Sequence, residues 1–193
     1  MYLDTSKNMK KLNILITGGA GYIGSVLTTK LVEIGHNVTV IDILEFSKIS
    51  LSHLHIKKNF KFIKGDVRNK KLLLKEIKNK DIIIPLAALV GAPLCKKYPK
   101  KTYEINFHNI KFILSNLKSK QKVIYPNTNS GYGIGKKKKY CDEKSPLNPI
   151  SLYGKTKVDA EKIILKHKNS VVFRLATVFG FSHRMRTDLL VNF

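Results

Sequence analysis

Two side chains able to move a proton and to hold a positive charge lie four residues apart in the segment "SLYGKTK". Tyr153 and Lys157 share one face of a predicted helix, because residues i and i+4 of a helix are neighbours. A tyrosine phenol has a pKa of about 10 and is a poor base at neutral pH. A nearby ammonium stabilises the phenolate and lowers that pKa toward the range where proton transfer is efficient. Taken alone, the pair is equally consistent with an exposed helical face in a lysine-rich chain.

A glycine-rich turn, "ITGGAGYIG" at residues 16–24, follows an apolar segment near the start of the chain. Glycines without Cβ atoms let backbone N–H groups approach a phosphate closely. The turn lies between a predicted strand and a predicted helix, where the helix N-terminus adds its positive dipole end. Tight packing of the strand against the helix is the alternative explanation of such a turn.

The carboxylate of Asp42 favours a dinucleotide as the ligand of this turn. Asp42 lies 21 residues after Gly21, at the end of the second predicted strand. There a carboxylate can accept hydrogen bonds from both ribose hydroxyls. The next residues, Ile43 and Leu44, offer no arginine for a 2′-phosphate, so the sequence predicts NAD rather than NADP. An ordinary turn residue at the strand end is the alternative interpretation of Asp42.

Apolar strands and amphipathic helices alternate along the chain and position these residues. This order predicts an α/β fold, a doubly wound parallel sheet with right-handed crossovers. Ligands of such sheets bind beyond the carboxyl ends of the strands. A long loop is expected over residues 133–150. The predicted strands cover residues 12–17, 37–42, 60–66, 81–88, 122–128 and 170–180, and the predicted helices cover residues 22–34, 69–79, 100–117 and 151–168.

Composition excludes several classes of protein. The two cysteines, Cys95 and Cys141, show no CxxC or Cys/His spacing, which argues against a disulfide framework or a metal site and fits a reducing cytosol. The N-terminal residues do not resemble a signal peptide. The longest stretch without a charged or strongly polar side chain, residues 82–95, is interrupted by prolines and a glycine and is too short to span a bilayer. We therefore expect a cytoplasmic protein without a membrane partner.

The net charge of +23, from 36 basic and 13 acidic residues, raises the question of nucleic-acid binding. The lysines are scattered along the chain beside abundant isoleucine and asparagine, as A·T-rich codon usage produces. No nucleic-acid recognition motif accompanies the charge, so we expect no specific nucleic-acid partner. The one dense cluster, Lys136 to Lys139, is either a solvated turn or a group that steers anionic ligands.

Together these motifs resemble the extended short-chain dehydrogenases/reductases, in particular the NAD-dependent epimerase/dehydratase family that acts on nucleotide sugars. The similarity extends from about Leu12 to the last residue through "TGGAGYIG", "GDVRN", "LAA", "YEIN", "NTNSGYG" and "DEKSPLNPISLYGKTK". It implies a Rossmann fold with bound NAD, a nucleotide-sugar substrate and roles in polysaccharide biosynthesis. The cofactor-binding residues that it implies are Gly18, Gly21, Tyr22, Ile23, Gly24, Asp42, Asp66, Val67, Leu86, Ala87, Ala88 and Lys157.

The resemblance also implies a catalytic tetrad of Asn106, Thr128, Tyr153 and Lys157. Tyr153 would remove a proton from a sugar hydroxyl while the hydride of the same carbon passes to nicotinamide. Thr128 would hydrogen-bond the same oxygen, and Lys157 would bind the nicotinamide ribose and tune Tyr153. Asn106 would position a helix and a water relay. The oxidised nicotinamide ring, like an ammonium, would lower the pKa of Tyr153.

Residues after Thr128 distinguish the reactions known in this family. Its dehydratases carry Asp-Glu directly after the catalytic threonine, and its decarboxylases keep the glutamate. Asn129 and Ser130 occupy these positions here, and neither transfers protons usefully. The resemblance therefore favours 4-epimerisation, in which a ketone intermediate rotates and the hydride returns to its other face. A nucleotide-sugar dehydrogenase or reductase is the alternative.

The family extends well beyond residue 193 into a C-terminal domain that binds the sugar. We expect residues 1–11 to form a loose N-terminal extension. Residues 12–193 should form an NAD-binding Rossmann domain, with the C-terminal substrate domain largely missing. A truncated NAD-binding module without turnover is therefore a further alternative. The family's dimers imply a homodimer through the helices at 100–117 and 151–168.

Overall fold

Six parallel strands form one sheet in the computed structural model, which describes residues 10–135 and 140–192. The strands are β1 (Asn13–Thr17), β2 (Asn37–Asp42), β3 (Phe60–Lys64), β4 (Ile82–Pro85), β5 (Lys122–Thr128) and β6 (Ser170–Leu175). Their spatial order is β3-β2-β1-β4-β5-β6, with neighbours paired in parallel. The order reverses between β1 and β4, which opens a crevice at the carboxyl ends of the strands. The predicted doubly wound Rossmann sheet is confirmed.

Helices connect the strands and cover both faces of the sheet. They are α1 (Tyr22–Glu33), α2 (Lys70–Ile77), α3 (Ala92–Lys97), α4 (Pro99–Tyr103), α5 (Asn109–Ser115) and α6 (Leu152–Ile164). A π-helical segment, Glu104–His108, joins α4 to α5, and short 3₁₀ turns lie at Ser52–Leu54, Asn129–Tyr132 and Leu190–Asn192. The Ser151 hydroxyl accepts a hydrogen bond from the Gly154 N–H (3.0 Å) and so caps α6, the helix that carries Tyr153 and Lys157.

Side chains of the central strands enter two separate apolar cores. On one face Leu15, Ile41 and Ile83 pack with residues of α2 and α5. On the other face Ile14, Ile16, Val38, Val40 and Ile84 pack with Val32 of α1 and with Leu51 and Leu54. Because alternate residues of a strand point to opposite faces, strands apolar throughout must lie in the middle of the sheet. This explains why β1 and β2 are almost wholly buried whereas the edge strands β3 and β6 are not.

Several predicted elements differ from the structure: the strand predicted over residues 81–88 ends at Pro85, and the helix predicted over residues 151–168 ends at Ile164. The last strand ends at Leu175 rather than at residue 180, and the segment after it lacks a strand neighbour in the described part of the chain. The helix predicted over residues 100–117 begins at Pro99, contains the π-helical segment and ends at Ser115. Residues 92–97, expected as loop, form α3, because a proline in the first helical turn lacks only an N–H that has no partner there.

Two predictions concern residues that the structure describes only in part or not at all. Residues 1–9 of the predicted N-terminal extension lie outside the described residues, as does the lysine cluster at 136–139.

None of the helices formed by residues 10–135 and 140–192 combines the length and the apolarity needed to cross a membrane.

Candidate functional site

A cavity of about 810 Å³ lies at the carboxyl ends of the strands, where the topology predicts a ligand. Its volume is within the range of small-molecule sites. It brings together nearly all residues that the sequence singled out. The predicted residues that line it are Gly18, Gly21, Tyr22, Ile23, Gly24, Asp42, Asp66, Val67, Leu86, Ala87, Ala88, Thr128, Tyr153 and Lys157. Asn106 does not line it and lies behind the loop that follows β4.

The glycine turn leaves no room for side chains between β1 and α1. Gly18 has a φ of +75°, and a Cβ placed there would lie 2.5 Å from the backbone nitrogen of Ala87. A Cβ at Gly24 would overlap the carbonyl oxygen of Gly18. Gly21 begins α1, and no side chain caps this helix. Bare backbone at an uncapped helix N-terminus fits the diphosphate of a dinucleotide.

Backbone groups hold the carboxylate of Asp42 at the edge of this cavity. Its Oδ2 accepts the N–H of Ala20 (3.0 Å) and its Oδ1 accepts the N–H of Leu44 (2.8 Å). A carboxylate has about four acceptor positions, so two remain for ribose hydroxyls. The glycine turn and the proposed ribose acceptor are thus fixed to each other by a hydrogen bond.

A second carboxylate, Asp66, follows β3 and accepts hydrogen bonds from Arg68. The guanidinium donates from Nε (3.1 Å) and Nη2 (2.7 Å) to Asp66, and from Nη1 to Glu104 (3.0 Å). The hydrogen bonds from Arg68 keep the pKa of Asp66 below its usual value. Arg68 therefore orders the side chain that the resemblance assigns to adenine. The quoted motif "GDVRN" contained this arginine, but its spacing alone does not reveal the pairing.

The hydroxyl of Thr128 lies at the end of β5, facing the cavity together with Asn129 and Ser130. Its Oγ1 accepts the N–H of Ser130 (3.1 Å) and lies 3.1 Å from the Ser130 hydroxyl. These bonds begin the 3₁₀ turn Asn129–Tyr132 and fix the side chain of Thr128.

Burial raises the pKa of the Tyr153 phenol above its usual value. The Thr128 hydroxyl and the Arg186 guanidinium act in the opposite direction, and Cys95 adds to the increase. The sequence predicted a pKa lowered by Lys157, but in the structure the pKa is raised and Lys157 is not among the groups that shift it. The Lys157 Nζ instead donates to the carbonyl of Pro126 (3.1 Å) and lies 3.9 Å from the ring centre of Tyr125.

Lys157 is buried, with 4% of its surface exposed. Burial disfavours the ammonium and lowers the pKa of Lys157 to about 7, while the negative charge of Glu161 acts to raise it. The charge of this side chain therefore changes near neutral pH. Sequence analysis did not reveal this, because the pKa depends on packing against β5.

The side-chain amide of Asn106 holds the loop that follows β4. Its Oδ1 accepts the N–H of Leu89 (2.9 Å) and its Nδ2 donates to the carbonyl of Leu89 (2.9 Å). Asn106 also lies 3.4 Å from the Thr156 hydroxyl of α6. It occupies the π-helical segment, a feature frequent at functional sites. The structure thus gives Asn106 a positioning role, between the cavity loop and the helix of Tyr153.

Replacing Asn106 by leucine should destabilise the fold by about 2 kcal/mol, since it leaves the buried N–H of Leu89 without a partner and its carbonyl with only the weak thiol donor of Cys95. Asn109 provides a matched control on the same helical stretch. Its buried amide has no hydrogen-bond partner among the described residues, so Asn109→Leu should not destabilise. Urea unfolding of both variants measures the difference. Equal loss of stability in the two would contradict the bridging role of Asn106.

The segment after β6 contributes residues that were not predicted from the sequence, which assigned residues 176–180 to the strand and gave no element to the residues after them. It folds back over the start of α1: the Tyr22 hydroxyl donates to the carbonyl of Gly180 (2.6 Å), and the hydroxyls of Ser25 and Ser182 lie 3.0 Å apart. Seven of its residues line the cavity: Ala176, Thr177, Val178, Arg184, Arg186, Asp188 and Leu189. Two arginines shortly after a strand end were the available signal.

Comparison with known proteins agrees with this geometry. The model of the NAD dependent epimerase/dehydratase family matches residues 14–190. The chain belongs to this family. The glycine turn, Asp42 and the cavity fit NAD, the cofactor of the family. The chain is 32% identical over 157 residues to a UDP-glucose 4-epimerase of Lactobacillus helveticus, a match that covers 79% of this chain and 46% of the relative.

Solved structures of an epimerase and a dehydratase also superpose on this chain. A UDP-N-acetylglucosamine 4-epimerase from Methanobrevibacter ruminantium M1, in complex with UDP-N-acetylmuramic acid, superposes with a TM-score of 0.77 at 27% identity, covering 86% of this chain and 55% of that one. A dTDP-glucose 4,6-dehydratase from Bacillus anthracis in complex with NAD gives a TM-score of 0.74 at 27% identity, covering 84% and 54%. The chain therefore spans about half the length of these relatives, which catalyse different reactions.

Proposed function

We propose that this chain provides the NAD-binding half of a nucleotide-sugar 4-epimerase. NAD, when bound, supplies the hydride acceptor. Tyr153 holds or takes the proton of the sugar hydroxyl, Thr128 orients the same oxygen, and Lys157 donates to the nicotinamide ribose. Asn106 positions the loop and helix that surround them. These roles are supported by the convergence of Thr128, Tyr153 and Lys157 on one cavity.

The observation that supports epimerisation is the chemistry of Asn129 and Ser130. Both line the cavity directly after Thr128, and neither is an acid or a base at neutral pH. Eliminating water from the sugar needs such a group beside the threonine. The acidic side chains lining the cavity lie on other elements: Asp42, Glu45, Asp66 and Asp188. Of these, Asp188 is paired with Arg186 and Asp66 with Arg68.

A panel of UDP-, dTDP- and GDP-hexoses tests this proposal. Each sugar should be incubated with the 193-residue chain and, separately, with a version extended by any residues encoded downstream of it. Chromatography then separates the products. We expect interconversion at C4 without net formation of NADH. A 4-keto-6-deoxy product would instead indicate a dehydratase, and stoichiometric NADH would indicate a dehydrogenase.

A second candidate is an NAD-binding module without turnover. The chain covers 46% of the curated epimerase and 55% of the solved one. This candidate predicts NAD binding by the 193-residue chain and no product from any sugar in the panel. Turnover by the longer version alone would assign the sugar site to the additional residues.

A homodimer through the α4–α5 stretch and α6 remains a proposal. Tyr103 and Leu165, on or next to these helices, are 40% and 57% exposed, as expected of apolar side chains that pack against a second copy. Sedimentation analysis of the wild-type chain and of a Tyr103→Glu/Leu165→Glu variant measures the association. A monomeric wild-type chain would overturn the proposal.

A further inference from the structure

A buried ion pair lies one helical turn beyond Lys157. The Glu161 carboxylate is 2% exposed, and its Oε1 accepts hydrogen bonds from Nε (3.0 Å) and Nη2 (2.6 Å) of Arg174 on β6. Its Oε2 accepts a short hydrogen bond from the side-chain amide of Asn127 on β5. Burying a carboxylate is unfavourable unless its charge is compensated, and here side chains of β5 and β6 supply the hydrogen bonds and the opposite charge.

Hydrogen bonds connect the Glu161–Arg174 ion pair to two groups of residues near the cavity. Lys157 is bonded to the carbonyl of Pro126, and the next residue of β5, Asn127, is bonded to Glu161. On the other side Nη1 of Arg174 donates to the Tyr132 hydroxyl (3.1 Å) and to the Glu143 carbonyl (3.1 Å). The ion pair thus joins the helix of Lys157 to the 3₁₀ turn that begins at Thr128.

We propose that Glu161 is a positioning residue for Lys157: both side chains are buried one turn apart on α6, Glu161 supplies the negative charge that compensates the buried ammonium, and Arg174 and Asn127 hold that carboxylate in place. The proposal gains its relevance to catalysis from the proposed role of Lys157. Glu161 and Arg174 do not line the cavity, and this role gives both charged residues a function. It also explains why a chain rich in exposed lysines buries this lysine beside an acid.

The groups that face Lys157 come from each element packed around it. Its own helix contributes Glu161 and Tyr153, and β5 contributes the ring of Tyr125 and the carbonyl of Pro126. From β6, Arg174 reaches it only through Glu161. Glu161 raises the pKa of Lys157, and burial lowers it. Among these groups Glu161 is the one whose negative charge favours the ammonium.

The titration of Lys157 can be followed directly by NMR of protein with ¹³Cε-labelled lysine. One lysine resonance should titrate with a midpoint near the pKa of about 7, and its absence from Lys157→Met assigns it. In Glu161→Gln we expect this midpoint to move to lower pH by about one unit or more, because an opposite charge has been removed. Arg174→Lys keeps a cation beside Glu161, so its midpoint should stay within about half that shift of wild type.

Control variants distinguish the effect of the Glu161 charge from the effect of a disturbed structure. Asp159→Asn removes an exposed acid of the same helix, paired with Lys162, and should leave the midpoint unchanged. If Glu161→Gln does not fold, the double variant Glu161→Gln/Arg174→Gln removes both charges, and its midpoint should lie below that of Arg174→Gln, the matched background. An unchanged midpoint in a folded variant lacking Glu161 would overturn the proposal.

Calorimetry with NAD distinguishes this inference from the proposed function. If Lys157 donates to the cofactor, NAD affinity should decrease above the midpoint, and at a lower pH in Glu161→Gln than in wild type. A shifted midpoint with pH-independent NAD affinity would support the positioning role of Glu161 and overturn the role proposed for Lys157.

Discussion

Gly18→Ala is expected to reduce NAD affinity at least about 100-fold, equivalent to about 2.7 kcal/mol. Gly18 has a φ of +75°, and a Cβ there would lie 2.5 Å from the nitrogen and 2.7 Å from the Cα of Ala87. Both are backbone atoms next to β4, so they cannot move aside as a side chain would. The turn must shift away from β4, and its N–H groups then lose the positions that a diphosphate requires. Calorimetry with NAD on folded protein measures the loss.

Gly35→Ala is the matched control for this substitution. Gly35 follows α1 with a φ of +97°, but a Cβ there meets no atom within 4 Å. The variant should lose only the backbone preference of glycine, about 1–2 kcal/mol of stability, and keep its NAD affinity. Wild-type affinity in Gly18→Ala would show that the close approach of the turn to Ala87 does not form part of the cofactor site.

Features that depend on local sequence were predictable. The buried strands β1 and β2 are continuous apolar segments, and the glycines follow β1 directly, so both the order of elements and the place of the ligand followed from the printed residues. Asp42 lies at the end of β2 and faces the glycine turn for the same reason. The family resemblance added the expectation of NAD, which the comparison with known proteins confirms.

Features that depend on contacts between distant elements were not predictable. The hydrogen bonds between Glu161 and Arg174 join α6 to β6, and no spacing rule connects them. Lys157 and Glu161 were visible as neighbours on one helix face, but only packing shows that both are buried. The raised pKa of Tyr153 likewise depends on burial, which the motif "YGKTK" does not reveal.

The end of the last strand, β6, also depends on contacts between distant residues and was not predictable. Residues 170–180 are largely apolar, and that pattern alone predicts a strand throughout. The strand ends at Leu175, where its pairing with β5 ends at Thr128. Beyond this point Gly180 and Ser182 hydrogen-bond to α1 instead, an arrangement that depends on residues about 160 positions earlier in the chain.

Tyr153→Phe is expected to reduce turnover about 10²- to 10⁴-fold in whichever form of the protein turns over a nucleotide sugar. The substitution keeps the half-buried ring and removes only the hydroxyl that exchanges the proton. NAD affinity should therefore remain close to that of wild type. The cavity residue Tyr98 is a matched control, because Tyr98→Phe removes a hydroxyl from the same cavity without touching the proposed proton transfer.

The pH dependence of turnover gives this prediction a second test. Because burial raises the pKa of Tyr153, little phenolate exists at neutral pH, and the base form increases as the pH rises toward that pKa. Wild-type turnover should therefore increase with pH by up to about tenfold per unit below the Lys157 pKa of about 7, and less steeply above it, where Lys157 loses its charge. Tyr153→Phe should lose this increase together with its rate. A Tyr153→Phe variant with wild-type turnover and pH profile would show that another group accepts the proton.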